Sequence, residues 1–257
     1  MTLPPATQTA LEDAVELFRK AKRVVVLTGA GISTPSGIPD FRSEGSGLWS
    51  RNEPMEVASL NTFRKAPERF FQWFRPLADQ IFQAQPNPAH QALADFESAG
   101  CQETIITQNI DGLHQKAGSK HVLEIHGTLR TLTCTQCYKQ LPSEDFLKPF
   151  IENGAIPRCL NCNGILKPDV ILFGEQLPQA AWQAAQRATR QCDLLLVIGS
   201  SLEVLPVAGL PVQALDHGAH LIVINNTATY VNVRADIVIT DNVASIIPEI
   251  MRRAIHG

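Results

Sequence analysis

The segment VVVLTGAGISTPSGIPDFRS, Val24 to Ser43, runs an unbroken apolar stretch into Gly29-Ala30-Gly31 and then into an acid, an aromatic and a guanidinium, Asp40, Phe41 and Arg42. A strand that ends on closely spaced glycines lets a backbone approach a bulky anion such as a pyrophosphate. Ile32-Ser33 is then expected to open a helix whose amide N–H groups face the phosphates. The third glycine of a Gly-x-Gly-x-x-Gly pattern is missing, because position 34 is Thr. A tight strand-to-helix turn explains such glycines equally well, so the neighbourhood has to decide.

Outward from this segment, similar apolar runs recur: ETIITQN, DLLLVIGSS, HLIVINN and ADIVITD. They are continuous rather than alternating, the pattern of strands buried on both faces of a parallel sheet. Helical spacing lies between them at 10–20, 89–98 and 179–189, and 243–255 closes the chain. Alternating strand and helix predicts an α/β doubly wound, Rossmann-like parallel sheet, with ligands at the carboxyl ends of its strands. Two stretches break the alternation. Residues 44–85 carry the aromatic, helix-spaced FRKAPERFFQWFRPLADQIF, and residues 127–168 carry four cysteines among few long apolar runs. Both read as insertions that together build a smaller lobe, leaving 1–43, 86–126 and 169–257 to the large one.

The totals exclude other classes. With 257 residues, 44% hydrophobic, 18% charged and a net charge of -3, the chain lacks the strongly basic face of a nucleic-acid groove, and no direct nucleic-acid binding is expected. The N-terminal MTLPPATQTALEDAVELF has no basic region followed by an apolar core, so no secretory signal is read. DLLLVIGSSLEVLPVAGLPVQAL is interrupted by Gly199, Glu203, Pro206 and Pro211, so it fails as a membrane span. A cytoplasmic protein is expected.

Cys134-x-x-Cys137 and Cys159-x-x-Cys162 can close on one Zn(II) as four thiolates in a tetrahedron. Such a site leaves no open coordination position, so the ion is expected to hold structure rather than to react. A zinc-ribbon nucleic-acid module is the alternative, weakened by flanks that are only mildly basic. Cys101 and Cys192 are left as core thiols.

The other strand ends keep similar company. Thr107-Gln-Asn-Ile-Asp-Gly-Leu-His114 follows one run, with Gln108, Asn109 and Asp111 where the strand leaves the sheet. Gly199-Ser200-Ser201 follows another, Asn225-Asn226 a third, and LEIHGTLR places His126 just before the first cysteine pair. Small and amide-bearing residues at several strand ends outline one crevice suited to phosphate and ribose.

These segments, GAGIS with SGIPDFRS, TQNIDGLH, HG, the two Cys-x-x-Cys pairs, KPDVILFGE and GSSLEVLP, occur in an order that resembles the sirtuin family of NAD-dependent protein lysine deacylases, over about 22–249. The resemblance implies a single catalytic domain over 1–257 that uses NAD as co-substrate and releases nicotinamide and O-acetyl-ADP-ribose. It implies His126 as general base toward a ribose hydroxyl, with Asn109 beside it in the reaction. Gly29, Ala30, Gly31 and Thr34 would meet the diphosphate, and Asp40, Phe41 and Arg42 would form a cofactor-binding loop. Gln108, Asn109, Ile110 and Asp111 would form the nicotinamide and ribose pocket, Gly199, Ser200, Ser201, Asn225 and Asn226 would meet phosphate or adenosine ribose, and Val243 the adenine. An acetylated peptide would dock as an extended strand between Val170, Ile171, Phe173, Gly174 and Glu175 on one side and Glu203 and Val204 on the other. Its acyl-lysine would lie in a tunnel lined by Phe41, Ile110, His126, Val170 and Phe173. Desuccinylating members carry a Tyr and an Arg three residues apart; here Trp49 and Arg51 stand instead, which implies neutral acyl groups, acetyl first. Protein ADP-ribosylation and a non-catalytic NAD-sensing or zinc-based module are the competing functions. As isolated features, His126 would read as a core histidine, Asp40 with Arg42 as a surface ion pair, and Phe41 as a packing contact.

Overall fold

In the computed structural model, the residues described are 4–40, 47–48, 53–101 and 103–256. The apolar runs become strands β1 (Val24–Thr28), β2 (Glu103–Thr107), β7 (Leu194–Ile198), β8 (His220–Ile224) and β9 (Ile237–Ile239). They join β3 (Val122–Glu124) in a six-stranded sheet of order β3-β2-β1-β7-β8-β9, parallel throughout. Helices α1 (Pro5–Lys20), α5 (Pro88–Ser98), α8 (Gln179–Gln191), α9 (Leu210–Asp216) and α10 (Val243–His256) cover it.

The unbroken apolar runs have a direct structural reason. Val24, Val26, Leu194, Leu196, Ile222 and Ile224 enter one core layer with α1, α5 and α10. Their neighbours Val25, Leu27, Leu195, Val197, Leu221 and Val223 enter a second layer with residues of α8 and α9. Both pleat faces are therefore buried, at about 1.5–3 kcal/mol for each fully buried large apolar side chain. The strand order reverses between β1 and β7, the place where an open parallel sheet leaves a crevice.

The two insertions share one core, as their sequences predict. The first provides α2 (Pro54–Val57), α3 (Leu60–Lys65) and α4 (Pro67–Gln83). The second provides α7 (Glu144–Asn153) and an antiparallel sheet of order β5-β4-β6, from β4 (Gly127–Cys134), β5 (Gln140–Pro142) and β6 (Leu166–Val170). Phe63, Phe70, Phe71 and Phe74 pack with Leu132, Phe150 and Leu166, Phe71 meeting the Phe150 ring edge-on at 5.3 Å between centroids. Arg75 of α4 donates to the carbonyls of Ile151 and Glu152 at 2.8 and 2.9 Å, satisfying the end of α7. The expected division at 168/169 falls inside β6, which remains paired to β4 as far as Val170.

Candidate active site

The carboxyl ends of β1, β2, β7 and β8 open onto one cleft of about 1400 Å³. At the point of strand reversal the loops after β1 and β7 interlock. Gly29 N–H donates to Ile198 O at 3.0 Å and Gly31 N–H to Gly199 O at 2.8 Å. A Cβ on Gly31 would lie 2.7 Å from Gly199 Cα, and Gly199 itself has φ +57°. These glycines are thus required first by loop-on-loop packing, and the smooth backbone wall they leave faces the cleft. The helix expected from Ile32-Ser33 is absent. Two 3₁₀ turns, Ala30–Ile32 and Thr34–Ser36, stand in its place, because the chain leaves helical geometry at Gly37, φ +86°.

Polar groups from the strand ends converge on this wall. Gln108 Nε2 donates to Ser200 Oγ at 2.9 Å, joining the exits of β2 and β7. Asn109 Nδ2 donates to Gly29 O and to Ser33 Oγ, both at 3.1 Å, and its N–H reaches Thr107 Oγ1 at 3.1 Å. Ser33 Oγ donates in turn to Asp111 Oδ2 at 2.7 Å, and Leu113 N–H caps Asp111 Oδ1 at 2.9 Å. Burial raises the Asp111 carboxyl above its usual range, against the pull of these two donors. The motif GAGIS contains Ser33, which sequence reading takes only as the opening of a helix; the bridge its side chain makes between Asn109 and Asp111 needs three dimensions to be seen.

His126 stands between β3 and β4. Its Nδ1 lies 3.1 Å from Gln108 O; a carbonyl only accepts, so Nδ1 carries the hydrogen and Nε2 keeps its lone pair. Burial lowers the imidazole pKa, the Gln108 carbonyl partly opposing it, so the ring is neutral at pH 7. A half-buried, oriented, neutral imidazole in a polar cleft can take a proton.

The cleft is lined by all the described residues assigned to cofactor or peptide, except one. Val243, the exception, opens α10 and is buried in the core layer with Ile239 and Ile246; an apolar side chain in the first turn of a packed helix is drawn inward. Phe41 and Arg42, and likewise Trp49 and Arg51, lie outside the described residues. Sequence reading also misses part of the lining: Phe70, Trp73, Phe74, Leu77 and Ile81 of α4, and Trp182 of α8. Their helical spacing carries a packing signal only.

The four cysteines meet in the small lobe, their sulfurs all within 4.8 Å of one another. Cys134 and Cys162 lie 3.4 Å apart and Cys137 and Cys159 3.7 Å apart, near the sulfur separations around a tetrahedral zinc with bonds of about 2.3 Å. Two matching turns deliver them. Tyr138 N–H bonds Cys134 O at 3.1 Å and Asn163 N–H bonds Cys159 O at 2.8 Å, with φ of 58° and 60° at Tyr138 and Asn163. The Cys137 N–H directed at the sulfur draws the Cys134 thiol down to about 6, and a Cβ on Gly164 would stand 2.9 Å from that sulfur. The donor set fits a closed thiolate zinc centre.

Comparison with known proteins agrees with this geometry. The family model described as "Sir2 family" matches residues 29–206. The chain is 43% identical over 242 residues to an Archaeoglobus fulgidus protein named NAD-dependent protein deacylase 2, covering 94% of each. It is 43% identical over 236 residues to a Thermodesulfovibrio yellowstonii protein named NAD-dependent protein deacetylase, covering 92% of each. A solved structure described as "Sir2-p53 peptide-NAD+" superposes with a TM-score of 0.85 at 36% identity, over 94% of this chain and 97% of that one. By sequence, by fold and by the arrangement of its strand ends, the chain belongs to the Sir2 family.

Proposed function

We propose that this chain removes acetyl groups from protein lysine with NAD as co-substrate, releasing nicotinamide and O-acetyl-ADP-ribose. The observation that carries the reading is the 3.1 Å contact of His126 Nδ1 with Gln108 O; a carbonyl only accepts, which leaves Nε2 as the base of a residue lining the cleft. Bound NAD supplies a ribose carbon whose leaving group is nicotinamide. Around that carbon, Asn109 and Asp111 orient the ribose and carboxamide, and His126 accepts the proton of a ribose hydroxyl. Gly29, Ala30, Gly31 and Thr34 provide a backbone wall for the diphosphate, and Asp40, Phe41 and Arg42 are assigned to the same cofactor. Gln108, Ile110, Gly199, Ser200, Ser201, Asn225 and Asn226 provide the remaining cofactor contacts.

An acetylated peptide lies between residues 170–175 and 203–204, in keeping with the peptide complex of the related structure. Zinc held by Cys134, Cys137, Cys159 and Cys162 has a structural role, and the chain works as one catalytic domain. Among the described residues no helix is long and apolar enough to cross a membrane. The reduced four-thiol centre supports the cytoplasm as its compartment.

Mass spectrometry of a reaction with NAD and an acetyl-lysine peptide tests the reading. Free-lysine peptide together with O-acetyl-ADP-ribose is expected. An ADP-ribosylated protein instead would make the chain a transferase to side chains, and cofactor binding without turnover would make it a sensor.

A further inference from the structure

We infer that Lys167 and Glu175 form a positioning clamp that holds the peptide-docking loop in shape, so that Glu175 serves substrate binding without offering it its carboxylate. The inference deepens the proposed function and rests on its assignment of residues 170–175 to the peptide. Glu175 Oε2 accepts from Leu172 N–H at 2.8 Å and lies 2.9 Å from Lys167 Nζ. Lys167 Nζ also donates to Val170 O at 2.8 Å and to Pro168 O at 3.1 Å, so the ammonium is held by two backbone carbonyls as well as by the carboxylate charge. The two side chains are only 17% and 20% exposed, which keeps the pair poorly screened and leaves a desolvated charge behind if either partner is removed.

The clamp acts on a strand edge. Leu172 to Glu175 is a turn closed by Glu175 N–H on Leu172 O at 2.9 Å, with Gly174 at φ +89°. The Glu175 carboxylate meets Leu172 N–H where the carbonyl of a neighbouring strand would stand. Along the other edge Ile171 N–H donates to His126 O at 2.9 Å, Phe173 N–H to Ala58 O at 3.0 Å, and Leu60 N–H to Phe173 O at 3.0 Å. The loop is therefore held along one edge by backbone bonds to Ala58, Leu60 and His126 and at Leu172 N–H by Glu175, and Lys167 anchors the turn to β6. A docking surface ordered beforehand spares the peptide the entropy of ordering it. Loss of the clamp should therefore appear in peptide affinity far more than in turnover.

Steady-state kinetics of the full-length, zinc-loaded enzyme tests this with Glu175→Gln, Lys167→Met, the double substitution and Lys167→Arg. Each disrupting single variant is expected to raise the peptide KM about tenfold, with kcat lowered less than about threefold and the NAD KM moved less than about twofold. The double variant should be no worse than the weaker single one, and Lys167→Arg should stay within about threefold of the parent. An unchanged peptide KM, or equal rises in the peptide and NAD KM, or a fall in kcat alone that tracks lost thermal stability, would overturn the clamp. Calorimetric titration of the acetylated peptide into parent and Glu175→Gln, which keeps the side-chain shape, provides a second readout. It separates the two claims: a parent that binds peptide but turns nothing over sinks the proposed reaction, whereas equal peptide affinity in parent and variant sinks the clamp.

Discussion

At the scale of single residues, the proposed reaction turns on which nitrogen of His126 is free. Replacing His126 with Ala is expected to lower deacetylation about 10²- to 10⁴-fold, the range that a positioned base contributes, while the NAD dissociation constant stays within about threefold. Product formation and calorimetric titration check the two halves. The pH dependence follows from burial, which lowers the imidazole pKa. Only the neutral ring accepts a proton, so activity is lost as pH falls through that lowered value. The acidic limb of kcat/KM should lie below the ordinary 6.5, measurable as a pH–rate profile; a limb above 6.5 would contradict the geometry. His126 itself stands out in the sequence because EIHG falls between an apolar run and a cysteine pair. Its carbonyl partner does not, since Gln108 O belongs to a backbone 18 residues away.

At the scale of elements, α5 and α6 (Leu113–Ala117) meet through two buried histidines, His90 and His114, with ring centroids 4.9 Å apart. His114 Nε2 lies 3.1 Å from Thr28 Oγ1, which donates to Thr107 Oγ1 at 2.9 Å; that oxygen also accepts Asn109 N–H. Burial lowers His90 to about 4, and burial together with the neighbouring His90 holds His114 well below 6.5. The unfolded chain, with histidines near 6.5, therefore takes up protons first as pH drops. Stability is fully present above about 6.5 and is lost on acidification toward 4, by about 1.4 kcal/mol per pH unit for each histidine. Scanning calorimetry at pH 7 and 5 should show the Tm falling, with a smaller fall in His114→Gln; equal falls would remove the histidine from the account. Strands buried on both faces were legible as unbroken apolar runs. The small-lobe strands were not, because β4 buries alternate residues in a short antiparallel sheet and β5 is only three residues long. The helix expected after Gly31 also failed to form: two 3₁₀ turns stand in its place, and the chain leaves helical geometry at Gly37, φ +86°.

At the scale of the whole molecule, a lobe built from two insertions has one aromatic core and one metal centre. Cys134→Ser is expected to abolish the stoichiometric zinc and to lower the melting temperature, with activity falling as a consequence; metal analysis and thermal unfolding check this, and retained zinc with unaltered stability would refute it. The large sheet should keep its far-ultraviolet signature at temperatures where the small lobe has loosened, since the two cores have separate residues. The pairing of the insertions was legible from aromatic and cysteine content, whereas strand β6 was hidden because KPDVILFGE carries both the end of the small sheet and the proposed docking loop. The single hydrogen bond from Ile171 N–H to His126 O at 2.9 Å couples these parts mechanically. If one lobe rocks against the other to admit a dinucleotide, the proposed proton acceptor and the proposed platform for the incoming lysine travel as a unit, tied by this one bond between their backbones.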